Sequence, residues 1–194
     1  MRKIGFIGMG NMAQAIVRGF HRAGKVQSED IFAFAPHLDK LHKNAEAIGF
    51  NACESASEVI EKSDFIVLAC KPYQMEAVLK AHCEELKKKA IVSIAYGWNF
   101  ERAMQILPEG TRYQYMIPDT PVSVGSGIFL VEETSSLSAE EDAFIEELFG
   151  SVGKYMRLSL EAMGPANALA GCGPAFMSMV IEALGDAGVK HGLT

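Results

Sequence analysis

Lys3-Ile4-Gly5-Phe6-Ile7-Gly8-Met9-Gly10-Asn11-Met12-Ala13-Gln14-Ala15-Ile16-Val17-Arg18-Gly19-Phe20 decides the fold. Ile4 to Ile7 reads as a short buried strand, and Gly8-x-Gly10-x-x-Ala13 follows at once. Met12, Ala15, Ile16, Gly19 and Phe20 then recur at i, i+3, i+4, i+7 and i+8, one face of a helix. Strand, glycine turn and helix in that order are the context a dinucleotide fingerprint needs. Gly8 permits the tight turn, Gly10 lets the backbone approach a pyrophosphate, and the small Ala13 lets helix and strand lie close. The free N–H groups and positive dipole end at Asn11, Met12 and Ala13 are suited to phosphates.

Working outward, the 194 residues hold one full domain, or one and a fraction. Apolar residues make up 49%, enough for a sizeable core. A net charge of −6 without any basic block argues against nucleic acid as a partner. Arg2 and Lys3 precede an apolar stretch that three glycines interrupt, too short for a signal peptide or a membrane span. Cys53, Cys70, Cys83 and Cys172 lack C-x-x-C spacing and read as reduced thiols of a cytoplasmic protein. The five histidines are scattered, so no metal site is expected.

Along the chain, β-α alternation runs for about 160 residues. Ile31 to Ala35 is a second strand, closed by Pro36-His37. An NAD enzyme usually places an acid near this strand end for the ribose hydroxyls. Here the acid is missing, and His37 and Lys40 offer positive charge to a 2′-phosphate; read blandly, both are solvated helix-start residues. NADP is therefore favoured over NAD. Ser55-x-x-Glu58 has a capping-box pattern. Phe65 to Cys70 is a continuous apolar run, suited to a strand buried on both faces, and it stops at Lys71-Pro72. Ile91 to Ala95 is the next strand, followed by the loop Tyr96-Gly97-Trp98 and a helix from Asn99 to Leu107. Tyr113 to Ile117 is a strand ending at Pro118, and Gly127 to Val131 is another. Ser138 caps a helix to Phe149, with Glu141 three residues on, and Lys154 to Leu158 closes the sheet. The expected fold is α/β: a doubly wound, Rossmann-type, mostly parallel sheet over 1–160, then the start of an all-helical domain over 161–194. In that second part a helix breaks at Gly171-Cys172-Gly173-Pro174, and another runs to His191. Its stripe of Phe176, Met179, Val180, Ala183, Leu184 and Ala187 is too apolar to stand in water alone.

Five stretches occur in one order: Ile7 to Ala13, Ala69-Cys70-Lys71-Pro72, Ser93 to Gly97, Ile117-Pro118-Asp119-Thr120-Pro121 through Gly127, and Gly171 to Phe176. In them the chain closely resembles the pyrroline-5-carboxylate reductase family over its whole length. The resemblance implies hydride transfer from NAD(P)H, with NADPH preferred, to the C=N carbon of a cyclic imine, giving L-proline. A protonated imine is already electrophilic, so the protein mainly positions the reactants and excludes water, which agrees with the lack of a nucleophile triad or metal motif.

Matched residue by residue, the resemblance implies pyrophosphate contacts from Gly8, Gly10, Asn11, Met12 and Ala13, and adenosine contacts near Pro36 and His37. It implies ribose and nicotinamide contacts from Ala69, Cys70, Lys71 and Pro72, from Ala95 and Gly97, and from Pro118, Asp119 and Thr120. The plainer readings stand beside these. Pro72 and Pro118 terminate strands, Lys71 is a solvated strand-end lysine, Gly171 and Gly173 break a helix, and the Met179, Val180 and Leu184 stripe is core or dimer contact. Asp119 and Cys172 stand where the family usually has Asn and Ser. Family members also continue past Thr194 with helices that bind the substrate, so the chain is expected to be a fragment or a shortened relative, its catalytic residues unknown. Three expectations follow: cofactor binding with poor turnover or none, self-association as a homodimer or larger homo-oligomer through residues 174 to 191, and no membrane partner. Two rivals remain: another NADP-dependent imine or β-hydroxyacid reductase, and a non-catalytic dinucleotide-binding protein.

Overall fold

The computed structural model describes residues 2–193; Met1 and Thr194, the outermost positions of the two expected domains, lie outside them. Strands that are apolar on both faces must be covered on both faces, and three such runs form the middle of the sheet. They are β1 (Ile4–Ile7), β4 (Phe65–Leu68) and β5 (Ala90–Ser93), every residue of which is buried. Around them lie β2 (Ile31–Phe34), β3 (Asn51–Ala52), β6 (Arg112–Pro118), β7 (Gly127–Ser135) and β8 (Gly153–Leu158). Among the described residues they make one eight-stranded sheet in the order β3-β2-β1-β4-β5-β6-β7-β8. All neighbours are parallel except β6 and β7. The strand order reverses between β1 and β4, the doubly wound arrangement expected from the sequence.

Side chains alternate between the two faces of the sheet. Phe6, Phe65, Val67 and Val92 pack under α1 (Asn11–Arg22), α2 (Leu38–Ile48) and α6 (Ala139–Gly150). Ile7, Ile66, Leu68 and Ile91 pack under α3 (Ala56–Lys62), α4 (Met75–Leu86) and α5 (Phe100–Met104). Phe149 meets both Phe20 and Phe129 edge-on, at centroid distances of 5.3 and 5.1 Å, which locks α1 and α6 over β7. Gly19 lets α1 touch the backbone of the 3-10 turn Thr120–Val124, because any Cβ there would strike the Val122 carbonyl.

Helix starts follow their capping residues. Ser138 Oγ accepts from Glu141 N–H at 3.2 Å and Glu141 returns a bond to Ser138 N–H at 3.0 Å, so that capping box is complete. At Ser55 only half of the box forms. Ser55 Oγ accepts from Glu58 N–H, but the Glu58 carboxylate takes the Glu54 N–H and the Lys62 ammonium instead. Strands β2 and β5 each stop short of their expected ends, at Phe34 and Ser93, and α5 is shorter than Asn99 to Leu107.

The expected break at Gly171–Pro174 does not occur. α7 (Leu160–Asn167) runs through a π-helical turn at Ala168–Cys172 into α8 (Gly173–Lys190). The reason is local: Pro174 directly follows the π-helical turn, whose changed register accommodates the proline ring and its missing N–H. Met163 is buried against the sheet, and Ala166 and Ala170 pack partly against it. In α8 the apolar stripe is open to solvent, with Phe176, Met179 and Leu184 exposed by 63, 67 and 68%. That stripe is therefore no core within this chain. By length and composition the helix Leu160–Lys190 would also be able to cross a membrane.

Candidate functional site: the carboxyl edge of the sheet

In an open α/β sheet, ligands bind outside the carboxyl ends of the strands where the strand order reverses. Here that point is the junction of β1 and β4. Gly8 leaves β1 at a φ of +100°, and a Cβ on it would lie 2.6 Å from the backbone of Ala69 and Cys70. Only glycine both reaches that φ without strain and lets the two strand ends meet. Gly8 N–H donates to Phe34 O at 2.8 Å, Ala69 N–H to Ile7 O at 2.8 Å, and Ile94 N–H to Leu68 O at 3.0 Å. The ends of β2, β1, β4 and β5 are thus laced side by side.

α1 begins at this junction. Gly10 is its N-cap, no side chain caps it, and its first turn carries no acid. A Cβ on Gly10 would meet no atom within 4 Å. The helix start is a set of N–H groups facing open space at a positive dipole end, which fits the pyrophosphate of a dinucleotide. Asn11 is exposed and Met12 half-buried, while the Ala13 side chain is buried in the core.

Past β2, Pro36 and His37 are exposed, as is Lys40 in the first turn of α2. No acid stands between Phe34 and Leu38, so the place where an acid would meet ribose hydroxyls is open to a 2′-phosphate. Past β4, Ala69 and Cys70 are half-buried and Lys71 and Pro72 exposed. The Cys70 thiol lies 3.2 Å from Met75 Sδ, and burial pushes its pKa up to about 11, so it stays a protonated, unreactive thiol. Past β5, Ala95 is buried and Gly97 exposed.

Past β6, Pro118 and Asp119 are buried and Thr120 exposed. Asp119 Oδ1 accepts from Ile128 N–H at 2.8 Å, and Asp119 N–H donates to Ile128 O at 3.2 Å. Burial raises the Asp119 carboxyl pKa, offset in part by the backbone N–H groups of Ile128 and of Asp119 itself.

Three side chains at this edge were not singled out by the sequence. Trp98 is buried and its indole N–H donates to Pro72 O at 2.9 Å. Tyr115 offers its hydroxyl to Gly97 N–H at 3.1 Å, and the Arg102 guanidinium lies 4.1 Å from the centre of the Trp98 ring. The available signal was the alternation Tyr113-x-Tyr115, which puts two aromatic hydroxyls on one sheet face. Glu132, also missed, is buried with its carboxylate on Phe100 N–H at 2.8 Å, at the start of α5.

Two concavities lie at the opposite, amino edge. One of about 390 Å³ is lined by Phe100, Met104, Leu107, Thr111 and Ser136; the other, about 340 Å³, is lined by Arg2, Asp64, Lys89, Arg112 and Glu141. The lining of the second is held by ion pairs and backbone bonds, such as Arg112 to Glu141 at 2.6 Å. Neither touches the carboxyl ends of β1 and β4, where the α1 start lies. No group of histidine, cysteine and carboxylate side chains with metal-binding geometry occurs among the described residues.

Fold and site define a dinucleotide-dependent oxidoreductase of the Rossmann type. Residues 3–97 match the family model described as NADP oxidoreductase coenzyme F420-dependent, and residues 161–194 match pyrroline-5-carboxylate reductase dimerisation. The pyrroline-5-carboxylate reductase of Treponema pallidum is 32% identical over 98% of this chain and 73% of its own length. That of Escherichia coli is 33% identical over 99% of this chain and 72% of its own. The crystal structure of Plasmodium falciparum pyrroline carboxylate reductase with NADP bound matches at a TM-score of 0.88 and 30% identity, covering all of this chain and 71% of that one. The chain belongs to the pyrroline-5-carboxylate reductase family. Prephenate dehydrogenase from Aquifex aeolicus, at 15% identity and a TM-score of 0.72, shares the fold alone.

Proposed function

We propose that this chain binds NADPH and reduces 1-pyrroline-5-carboxylate to L-proline. One observation carries the cofactor half of this reading: a helix start with no side-chain cap and no first-turn acid, facing open space at the strand-order reversal. The reaction rests on the relatives that bear its name. Bound NADPH would supply the hydride. The N–H groups of Asn11, Met12 and Ala13 hold the pyrophosphate, with Gly8 and Gly10 giving it room. Pro36 and His37 flank the adenosine, and the missing acid favours NADPH over NADH. Ala69 to Pro72, Ala95 to Gly97 and Pro118 to Thr120 line the ribose and nicotinamide. An ionised Asp119 there would favour cationic partners such as a protonated imine.

The reading divides the chain into a dinucleotide-binding domain, 1–160, and a dimerisation segment, 161–194. It assigns the exposed stripe of α8 to a subunit contact in a homo-oligomer rather than to lipid, in keeping with the dimerisation match over those residues. Four free cysteines suit the reducing cytoplasm, and a net charge of −6 suits no nucleic acid. The test is an assay of the chain with NADPH and the imine. Loss of reduced nicotinamide matched by proline formed is the expected result. Cofactor bound in calorimetry with no imine-dependent oxidation would instead define a non-catalytic dinucleotide-binding protein.

A further inference from the structure

The loop after β5 has no long helix to hold it, yet its apex is fully bonded. Gly97 N–H donates to the Tyr115 hydroxyl at 3.1 Å, and Gly97 O accepts from Arg102 Nη1 at 3.2 Å. Trp98 N–H donates to Ala95 O at 3.1 Å, and Trp98 O accepts from the Tyr113 hydroxyl at 2.6 Å. The Trp98 indole then crosses to the neighbouring loop and donates to Pro72 O at 2.9 Å. Arg102 covers the outer face of the ring at 4.1 Å. Around these bonds, Lys71, Pro72, Tyr73, Tyr96 and Gly97 are all exposed at the carboxyl edge. Two solvent-facing loops are thereby fastened to each other by a buried tryptophan and two strand tyrosines.

The place of this fastening matters. A dinucleotide laid across a strand-order reversal puts its pyrophosphate at the first helix and its two halves on opposite sides. The β2 side takes the adenosine. The β4 and β5 side, where these two loops lie, takes the nicotinamide. We infer that Trp98, Tyr115 and Arg102 are positioning residues: they set the width and rigidity of the crevice between the β4 and β5 loops and so the seating of the nicotinamide ring. The inference rests on the cofactor reading above. Holding the crevice in shape before the ligand arrives spares the ordering cost on binding and fixes the ring for hydride transfer.

Trp98 is too deeply buried to be a clean probe, so the test uses Tyr115→Phe and Arg102→Met. Each removes one bond to the Gly97 backbone, and neither residue contacts the α1 start. Calorimetry compares two ligands on the unmodified chain and on each variant: NADPH, and 2′-phospho-ADP-ribose, which is the same molecule without the nicotinamide. Both variants should bind NADPH about three- to tenfold more weakly, the worth of one lost hydrogen bond, and should bind the fragment as the unmodified chain does. A general loosening of the fold would weaken both ligands together. Equal weakening of the two, or no change in either, would overturn the inference. Failure of the unmodified chain to bind either ligand would overturn the cofactor reading, and this inference with it.

Discussion

At the scale of single residues, the site is set by what is small or missing. Gly8 is required by its φ and by the approach of Ala69, and a left-handed conformation alone would cost any other residue about 1–2 kcal/mol. Ala35 is half-buried just past β2, beside the Phe34 carbonyl that holds Gly8. Ala35→Asp would restore an acceptor for ribose hydroxyls and repel a 2′-phosphate, moving the NADPH-to-NADH affinity ratio roughly tenfold toward NADH. Paired fluorescence titrations would measure it, and an unchanged ratio would count against the placement of the adenosine. Asp119 has a distinct signature. Its folded pKa is raised by burial, so the folded state binds more protons than the unfolded state between the ordinary aspartate value and the raised one. Stability is therefore lost as pH rises through that window, and the penalty is fully present above it. Asp119→Asn keeps an oxygen for Ile128 N–H. It should flatten the stability–pH slope just above the ordinary aspartate range and, at neutral pH, leave the protein at least as stable. It should also shift the pH profile of turnover. Urea unfolding across acid pH tests the first, and an unchanged slope would sink it.

At the scale of elements, each helix end was legible where a side chain supplies the cap. Ser138 and Glu141 make their reciprocal pair, and Glu141 also holds Arg112 at the amino edge. Ser138→Ala should cost about 1 kcal/mol of stability. It should leave NADPH affinity unchanged, because the amino edge is the opposite end of the sheet. Denaturant midpoints and a cofactor titration on one sample would show both, and a parallel loss of affinity would contradict the separation of the two edges. At the bulge between β6 and β7, by contrast, Gln114 reaches across to Glu132 O at 2.8 Å while the Glu132 carboxylate turns to Phe100 N–H. Neither partner is near the other in sequence. No periodicity reports such a bond.

At the scale of the whole molecule, two cores on the two faces of the sheet fix the carboxyl edge, and after the last strand α7 leads into α8, whose apolar stripe is exposed among the described residues. An exposed apolar face of that length suits a partner surface, proposed above to be a second copy. Ile181→Glu with Leu184→Glu places two charges on it, and light scattering should then report a smaller species. NADPH binding should persist, since the fingerprint lies on β1 and α1 and not on α8. A particle of unchanged mass would place the contact elsewhere.

The sequence by itself determined the βαβ start, the doubly wound sheet and the family. Those follow from signals a few residues long: glycine spacing, apolar runs and capping pairs, each a local preference. Only the tertiary structure decided that the helix passes unbroken through Gly171–Pro174, because a π turn is a property of backbone register. It alone joined Trp98 to Pro72, Tyr115 to Gly97 and Asp119 to Ile128. Those bonds depend on the order in which strands lie side by side, and that order exists only once the sheet has closed its two cores.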